Sequence, residues 1–377
     1  MKRMARVGVA FLLGAVAVGP AVAPAVAQPV PAAGYIVVLS DHSGVQARAA
    51  ETAERFGGTV EHTYTAALRG FSVSLSAAEA KELSREPGVA AVVRDTPVRA
   101  LGEQVDPPSW GLDRIDQRTP PLDGVYRYPN DAANVHAYVI DTGVSAHPDL
   151  AGRVAPGVDL VDGDAPDDGN GHGTFVAGIL GGTSYGVAKE ITIVPVRVLD
   201  DNGAGSISDV IAGIDWVTAN AVRPAVANLS LGGGPNAALD AAVRASIASG
   251  VPYAVSAGSS ATDASNFSPA RVAEALTVGA MGSDDCVAPQ SNHGPVLDLY
   301  APGQEITGPW PGGGSQTMSG SSLSAPHVAG VVGMYLHAHP TADAATASAA
   351  VVAAATEGVL CGVPDDTANR LLHAGVA

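Results

Sequence analysis

Aromatic residues make up only 5% of the 377-residue chain and charged residues only 15%, and Lys plus Arg (20) are far outnumbered by Asp plus Glu (37). With so few rings, a core has to be assembled from Ala, Val, Ile and Leu, which the apolar share of 46% permits. The small charged fraction excludes a disordered chain or a coiled coil. A net charge of −17 leaves no basic face for a phosphate backbone, which excludes nucleic acid as a partner. Beyond the N-terminus, every apolar run is interrupted by Gly, Pro or a charge before it reaches spanning length, so no membrane span is expected. Cysteine is confined to Cys286 and Cys361. In an oxidising compartment such a pair is compatible with one disulfide, and their separation neither supports nor excludes it.

Glycine (45) and proline (27) are plentiful, which suits an α/β protein with many short loops better than a helical bundle. The length allows two or three domains at roughly 100–200 residues each. Lys2, Arg3 and Arg6 precede an apolar run over residues 7–18, and Ala25-Val26-Ala27 is a small-residue cleavage site. Residues 1–27 therefore read as a secretory signal peptide, and an extracellular location is expected. Pro20 and Pro24 cut the run too short for an anchor.

Residues 35–98 read as a small α+β unit. Strands at 35–39, 71–75 and 89–93 alternate with helices at 45–56 and from Ser76 to Arg85, where Ser76 and Glu79 fit a capping box. This βαββαβ-like order predicts a ferredoxin-like domain. Residues 99–110 lack apolar periodicity and read as a linker. Charge shifts at this point: residues 28–102 hold 7 basic and 8 acidic side chains, and residues 103–377 hold 10 and 29. From residue 134 onward, short apolar runs at 136–140, 192–199, 226–231, 251–256 and 275–279 alternate with helical stretches at 173–180, 208–220, 237–249 and 322–338. That alternation predicts a mostly parallel sheet flanked by helices.

Three polar residues stand at the edges of these elements. Asp141 ends a strand, where open α/β sheets build their sites. His172 lies between Gly171 and Gly173 at a helix start, and Ser322 enters a helix containing Pro326. Singly these read as a turn residue, a tight turn and an N-cap. Together, in the order Asp, His, Ser, they supply an orienting carboxylate, a proton-accepting imidazole and a hydroxyl nucleophile. A lipase or esterase, the third reading, requires Gly-x-Ser-x-Gly and the reverse order, which counts against it.

With Val139-Ile140-Asp141-Thr142-Gly143, Asn170-Gly171-His172-Gly173-Thr174, Leu229-Ser230-Leu231-Gly232-Gly233-Gly234 and the run from Ser322 to Gly330, the sequence resembles the subtilisin-like serine proteases, in their proteinase K and aqualysin-like branch. Residues 35–98 resemble the inhibitor-type propeptide of the same family. The resemblance implies a subtilisin-like fold over 103–377, a propeptide over 28–102, and Asp141, His172 and Ser322 as the triad. It implies pocket walls from Ser230, Leu231 and Gly232 and from Ser256, Ala257 and Gly258. These are small and uncharged, which favours apolar or aromatic side chains before the scissile bond. Protein or peptide substrates follow, with the propeptide as intramolecular inhibitor, a segment from Arg99 to Gln104 lying in the cleft, and a cut near Gly102. A monomer is expected.

The sequence departs from the family at Ser259, where an Asn usually donates to the oxyanion. Ser259 and the backbone N–H of Ser322 are then the candidate oxyanion donors. Losing such a donor costs on the order of 100–1,000-fold in turnover, a figure measured on a subtilisin. This leaves as an alternative a pseudo-protease that binds peptides without turnover, which a fluorophosphonate probe would not label. Phe175 and Leu323 also depart from the usual residues. No cofactor is implied for catalysis. Structural calcium is implied at the carbonyls of Ala273 and Ala275 with the Asp298 carboxylate, an oxygen-only shell that suits Ca²⁺. The acidic stretch Asp162, Asp164, Asp167 and Asp168 reads as a solvated loop, with cation binding as the alternative.

Overall fold

The structure is a computed structural model that describes residues 33–40, 44–95 and 102–376. The expected signal peptide, and Arg99 to Leu101 of the expected cut region, lie outside the described residues. The chain divides into two compact units, one ending at Arg99 and the other beginning at Ala100.

The first unit runs β1 (Ala33–Leu39), α1 (Val45–Phe56), β2 (Val60–Tyr64), β3 (Gly70–Leu75), α2 (Ala77–Leu83) and β4 (Val89–Arg94). Its antiparallel sheet has the order β2-β3-β1-β4. Gly57 ends α1 in the left-handed conformation, at φ 67°. Ser76 and Glu79 close the expected capping box at α2. Val37, Phe71, Val73 and Leu75 pack against Val45, Ala49, Ala80 and Leu83 in one core. β2 is mostly exposed and polar, so it follows from the element order rather than from any apolar pattern.

The second unit contains β5 (Gly102–Val105), α3 (Trp110–Ile115), β6 (Val125–Tyr128), β7 (His136–Asp141), β8 (Val158–Asp159), α4 (His172–Gly181), β9 (Thr192–Arg197), α5 (Ile207–Asn220), β10 (Ala225–Leu229), α6 (Ala237–Ala248), β11 (Tyr253–Ser256), β12 (Leu276–Met281), β13 (Leu299–Pro302), β14 (Ile306–Trp310), β15 (Gly314–Met318), α7 (Ser321–Ala338), α8 (Ala344–Ala354), β16 (Thr356–Glu357) and β17 (Arg370–Leu371). Among the described residues, nine strands form one sheet in the order β16-β17-β13-β12-β11-β10-β7-β9-β8, parallel except for β16 against β17. Alternate side chains feed two cores. Ala137, Val139, Val226 and Ala254 pack with α4, α7 and α8, while Tyr138, Ile140, Ala227 and Val255 pack with α5 and α6. Strands buried on both faces explain the near-continuous apolar runs. Helix α7 has 14 of its 18 residues buried, so its sequence is apolar all round.

Residues 99–110 are not wholly a linker. Gly102–Val105 pairs with β6 in the register Gly102↔Tyr128 to Val105↔Val125. Gln104 Nε2 donates to the Ser184 carbonyl at 2.8 Å, and its Oε1 accepts from Lys189. A four-residue strand of mixed polarity has too few positions to show a period. Residues 102–104, expected in the cleft, are instead held in this pair. The backbone of one segment cannot serve both places at once. Cys286 and Cys361 are joined by a disulfide with Cα atoms 4.5 Å apart. No helix among the described residues is long and apolar enough to cross a membrane.

Candidate active site

The site residues cluster where β7, β10 and β11 end. Asp141 is the last residue of β7 and is fully buried. Its Oδ1 lies 2.7 Å from His172 Nδ1 and accepts the Thr142 N–H at 2.8 Å. The carboxylate thus selects the tautomer with the proton on Nδ1, leaving a lone pair on Nε2. Burial disfavours the charged imidazole, but the charge and hydrogen bond of Asp141, with the charge of Asp168 behind them, outweigh it and hold the His172 pKa above its ordinary value.

The two glycines around His172 have separate causes. Gly171 has φ 108°, and a Cβ there would stand 2.4 Å from the Trp310 ring. A Cβ on Gly173 would stand 2.1 Å from the Gly143 carbonyl. The close neighbours are therefore an indole and a backbone segment, and both fix the entry of α4.

Ser322 is the second residue of α7. Pro326 lies in the helix's second turn and, as a proline, has no N–H to give the Ser322 carbonyl four residues back. The Ser230 hydroxyl fills that vacancy at 2.6 Å, tying the segment after β10 to the helix. Among the described residues, Ser322 Oγ, the Ser322 N–H and His172 Nε2 have no hydrogen-bond partner, and no Ser322–His172 bond is formed. Two cavities meet along Leu231 and Gly232, which line both. One, of about 480 Å³, is bordered by His172, Ser230 and the 203–206 loop. The other, of about 230 Å³, is bordered by Ser256, Ala257, Gly258, Ser259 and Ser322. All six expected pocket residues thus border these two cavities. Phe267, Ser268, Ala270 and Asn292 also line the second, and they carry no sequence signal of that role because they lie in loops away from the motifs.

Asp168 departs from the solvated-loop reading. It is buried, and its Oδ1 accepts from Thr142 Oγ1 (2.7 Å), Asn170 N (3.0 Å) and Gly171 N (2.7 Å). Its Oδ2 accepts from Thr174 N at 2.7 Å and Thr174 Oγ1 at 2.6 Å. One carboxylate therefore clamps the turn that carries His172 to the end of β7. Asp162, Asp164 and Asp167 are exposed as expected. Asp168→Asn puts an amide donor among donors, and an unfolding titration should show a loss of about 3 kcal/mol. A variant as stable as the parent would contradict this clamp.

Phe175 and Leu323 lie together in one apolar cluster with Ile179 and Ile306, so these two departures meet in packing. Ala273, Ala275 and Asp298 line one cavity with Glu274, Glu357 and Arg370. Asp298 Oδ2 accepts the Thr277 N–H at 2.8 Å. Burial raises the Asp298 pKa to about 6, against the smaller opposing effects of the Thr277 hydrogen bond and the Arg370 charge.

An imidazole held by a buried carboxylate at the mouth of a parallel sheet, with a serine at a helix N-terminus lining the adjoining cavity, is the residue set that a serine hydrolase uses. Residues 134–374 match the family model of the subtilases, Peptidase_S8, and residues 34–101 match that of the peptidase inhibitor I9. The chain belongs to the subtilase family and is a serine endopeptidase with an I9 inhibitor domain ahead of its peptidase domain. It is 49% identical over 339 residues to an extracellular serine proteinase of Thermus sp. (strain Rt41A), covering 89% of this chain and 82% of that one. It is 45% identical over 321 residues to the alkaline serine exoprotease A of Vibrio alginolyticus, covering 83% of this chain and 60% of the relative. The crystal structure of a cold-adapted subtilisin-like serine proteinase superposes with TM-score 0.69 at 48% identity, over 70% of this chain and 97% of that one.

Proposed function

We propose that this subtilase is a secreted enzyme that hydrolyses peptide bonds through an acyl-enzyme on Ser322, with His172 as base and then acid and Asp141 as its orienting carboxylate. The observation that carries the reading is the 2.7 Å contact between Asp141 Oδ1 and His172 Nδ1, together with a Ser322 N–H that has no hydrogen-bond partner among the described residues. Ser322 Oγ attacks the scissile carbonyl while His172 Nε2 takes its proton, and negative charge forms on the carbonyl oxygen. The Ser322 N–H and Ser259 face that charge. Collapse breaks the C–N bond, and His172 returns the proton to the leaving amine. Water then repeats the sequence to release the acid.

The pocket lined by Gly258, Phe267 and Ala270 has no charged group among its lining residues, which supports a preference for apolar or aromatic side chains before the scissile bond. The segment Ser230-Leu231-Gly232 would pair with extended substrate. Residues 28–102 act as propeptide and intramolecular inhibitor in this reading, and the cut falls near Gly102, at the first residue of β5. A fluorophosphonate probe tests the assignment. Labelling of the wild type that disappears in Ser322→Ala is expected. An unlabelled wild type that still binds peptides would support the pseudo-protease instead.

Calcium belongs to the same reading. The Asp298 carboxylate has one oxygen outside its hydrogen bond, and the Ala273 carbonyl accepts no hydrogen bond among the described residues, so the oxygen donors fit the ion. A carboxyl with a folded pKa near 6, above its ordinary 3.8, contributes stability below pH 3.8 that is lost as pH rises through about 6. A divalent cation offsets that loss. Thermal unfolding at pH 8 is expected to shift upward with Ca²⁺, by about 2.7 kcal/mol at a hundredfold excess over Kd, and the shift should vanish in Asp298→Asn. An equal response in that variant would rule the site out.

A further inference from the structure

Three serine hydroxyls meet beneath the start of α7. Ser256 Oγ lies 2.6 Å from Ser321 Oγ, and Ser321 Oγ lies 3.2 Å from Ser259 Oγ. The Gly258 N–H donates to Ser321 Oγ at 3.0 Å and to Ser256 Oγ at 3.3 Å. The Ser321 N–H donates to Ser259 Oγ at 3.1 Å. Ser256 and Ser321 are buried, whereas Ser259 is exposed on the pocket wall beside Ser322.

Each hydroxyl has one proton and two lone pairs, which fixes the direction of the chain. Among the described residues, the buried Ser256 hydroxyl has one neighbour able to accept its proton, Ser321 Oγ. The opposite direction would leave that proton buried without an acceptor, at a cost of about 1–3 kcal/mol. Ser256 therefore donates to Ser321. With Gly258 N–H on its other lone pair, Ser321 has no further acceptor capacity and gives its own proton to Ser259. Ser259 then accepts twice, from the Ser321 N–H and the Ser321 hydroxyl. Its own proton is the one left over, and no acceptor among the described residues takes it.

That proton belongs beside the free N–H of Ser322. The bond from the Ser321 N–H holds Ser259 Oγ one residue from Ser322 N, and a Cβ built on Gly320 would lie 3.7 Å from that oxygen and 3.9 Å from Ser322 N, so both groups stand on the same side of Gly320. We propose that Ser256, Ser321 and Ser259 form a one-way hydroxyl chain whose terminal proton, on Ser259, is the side-chain donor to the oxyanion. Ser321 and Ser256 are positioning residues that fill the lone pairs of the next hydroxyl and turn its proton outward. Each added bond also polarises the next one. The chain compensates for the shorter reach of serine by fixing its direction. The inference rests on Ser322 being the nucleophile.

The test is a kinetic double-mutant cycle on the full chain with a peptide substrate, using Ser259→Ala, Ser321→Ala and the pair. Ser259→Ala is expected to lower kcat by about 100-fold with little change in KM, the low end for an oxyanion donor. Ser321→Ala should lower kcat about tenfold in the parent and by less than about twofold in the Ser259→Ala background, because its effect passes through Ser259. Ser321→Thr, which keeps the hydroxyl, should restore kcat, which a general loss of packing would not allow. Equal losses from Ser321→Ala in both backgrounds, or a Ser259→Ala enzyme as fast as the parent, would overturn the chain while leaving Ser322-dependent probe labelling intact. Absence of that labelling in the parent would overturn both readings.

Discussion

Ser322→Ala is expected to lower peptide turnover about 10⁶-fold, as loss of the nucleophile does in a subtilisin, while leaving the fold in place. The substitution removes an oxygen that has no hydrogen-bond partner among the described residues, so none of them loses a contact. Stability should therefore stay within about 0.5 kcal/mol of the parent. The binding cavities and the free N–H of Ser322 persist, which predicts a residual rate about 10³–10⁴ above that in water. A second readout is the length of the secreted chain. If the enzyme cuts its own propeptide, the variant stays at the mass of residues 28–377, with no fragment beginning near Glu103. Turnover within tenfold of the parent, or normal processing by purified variant alone, would place the nucleophile elsewhere.

The sequence marked the candidate site more sharply than the scaffold around it, for physical reasons visible at particular residues. Asp141, His172 and Ser322 sit at element ends, where a polar residue interrupts an apolar run and announces itself. Strands such as β7 and β10 are buried on both faces, and their continuous apolar runs separate cleanly from helices. The hairpin of β14 and β15 offered no such contrast, since β15 is exposed and polar over most of its length. Helix α8 is built almost wholly from Ala, Val, Thr and Ser, so its buried face at Ala347 and Val351 is not marked by larger side chains. Asp168 was hidden by composition. A carboxylate in an acidic stretch looks solvated until the fold brings five donors from Thr142, Asn170, Gly171 and Thr174 onto it. The direction of the three-serine chain was equally beyond reach, because it depends on which lone pairs are already filled.

Asp141→Asn is expected to lower kcat about 10⁴-fold and to move the acid limb of the kcat/KM profile to lower pH. Asp141 Oδ1 accepts both the His172 Nδ1–H and the Thr142 N–H, while Oδ2 is buried with no partner. An asparagine can keep its carbonyl oxygen at the Oδ1 position, which preserves the tautomer but places its NH₂ in the partnerless Oδ2 site. The flipped amide sets its NH₂ against the Thr142 N–H and makes His172 Nδ1 an acceptor, which moves the proton to Nε2 and removes the base. Either way the negative charge opposite the imidazolium is gone when the transition state needs it. Burial then dominates at His172, and its pKa falls from its raised value. Because the base works only when neutral, a lower pKa carries the acid limb downward even as the plateau collapses. Rate profiles of the two proteins between pH 4 and 9 would show both changes at once, those bounds bracketing the ordinary histidine pKa of about 6.5. A drop in rate with the limb unmoved, or moved upward, would mean that Asp141 does not set the proton affinity of His172.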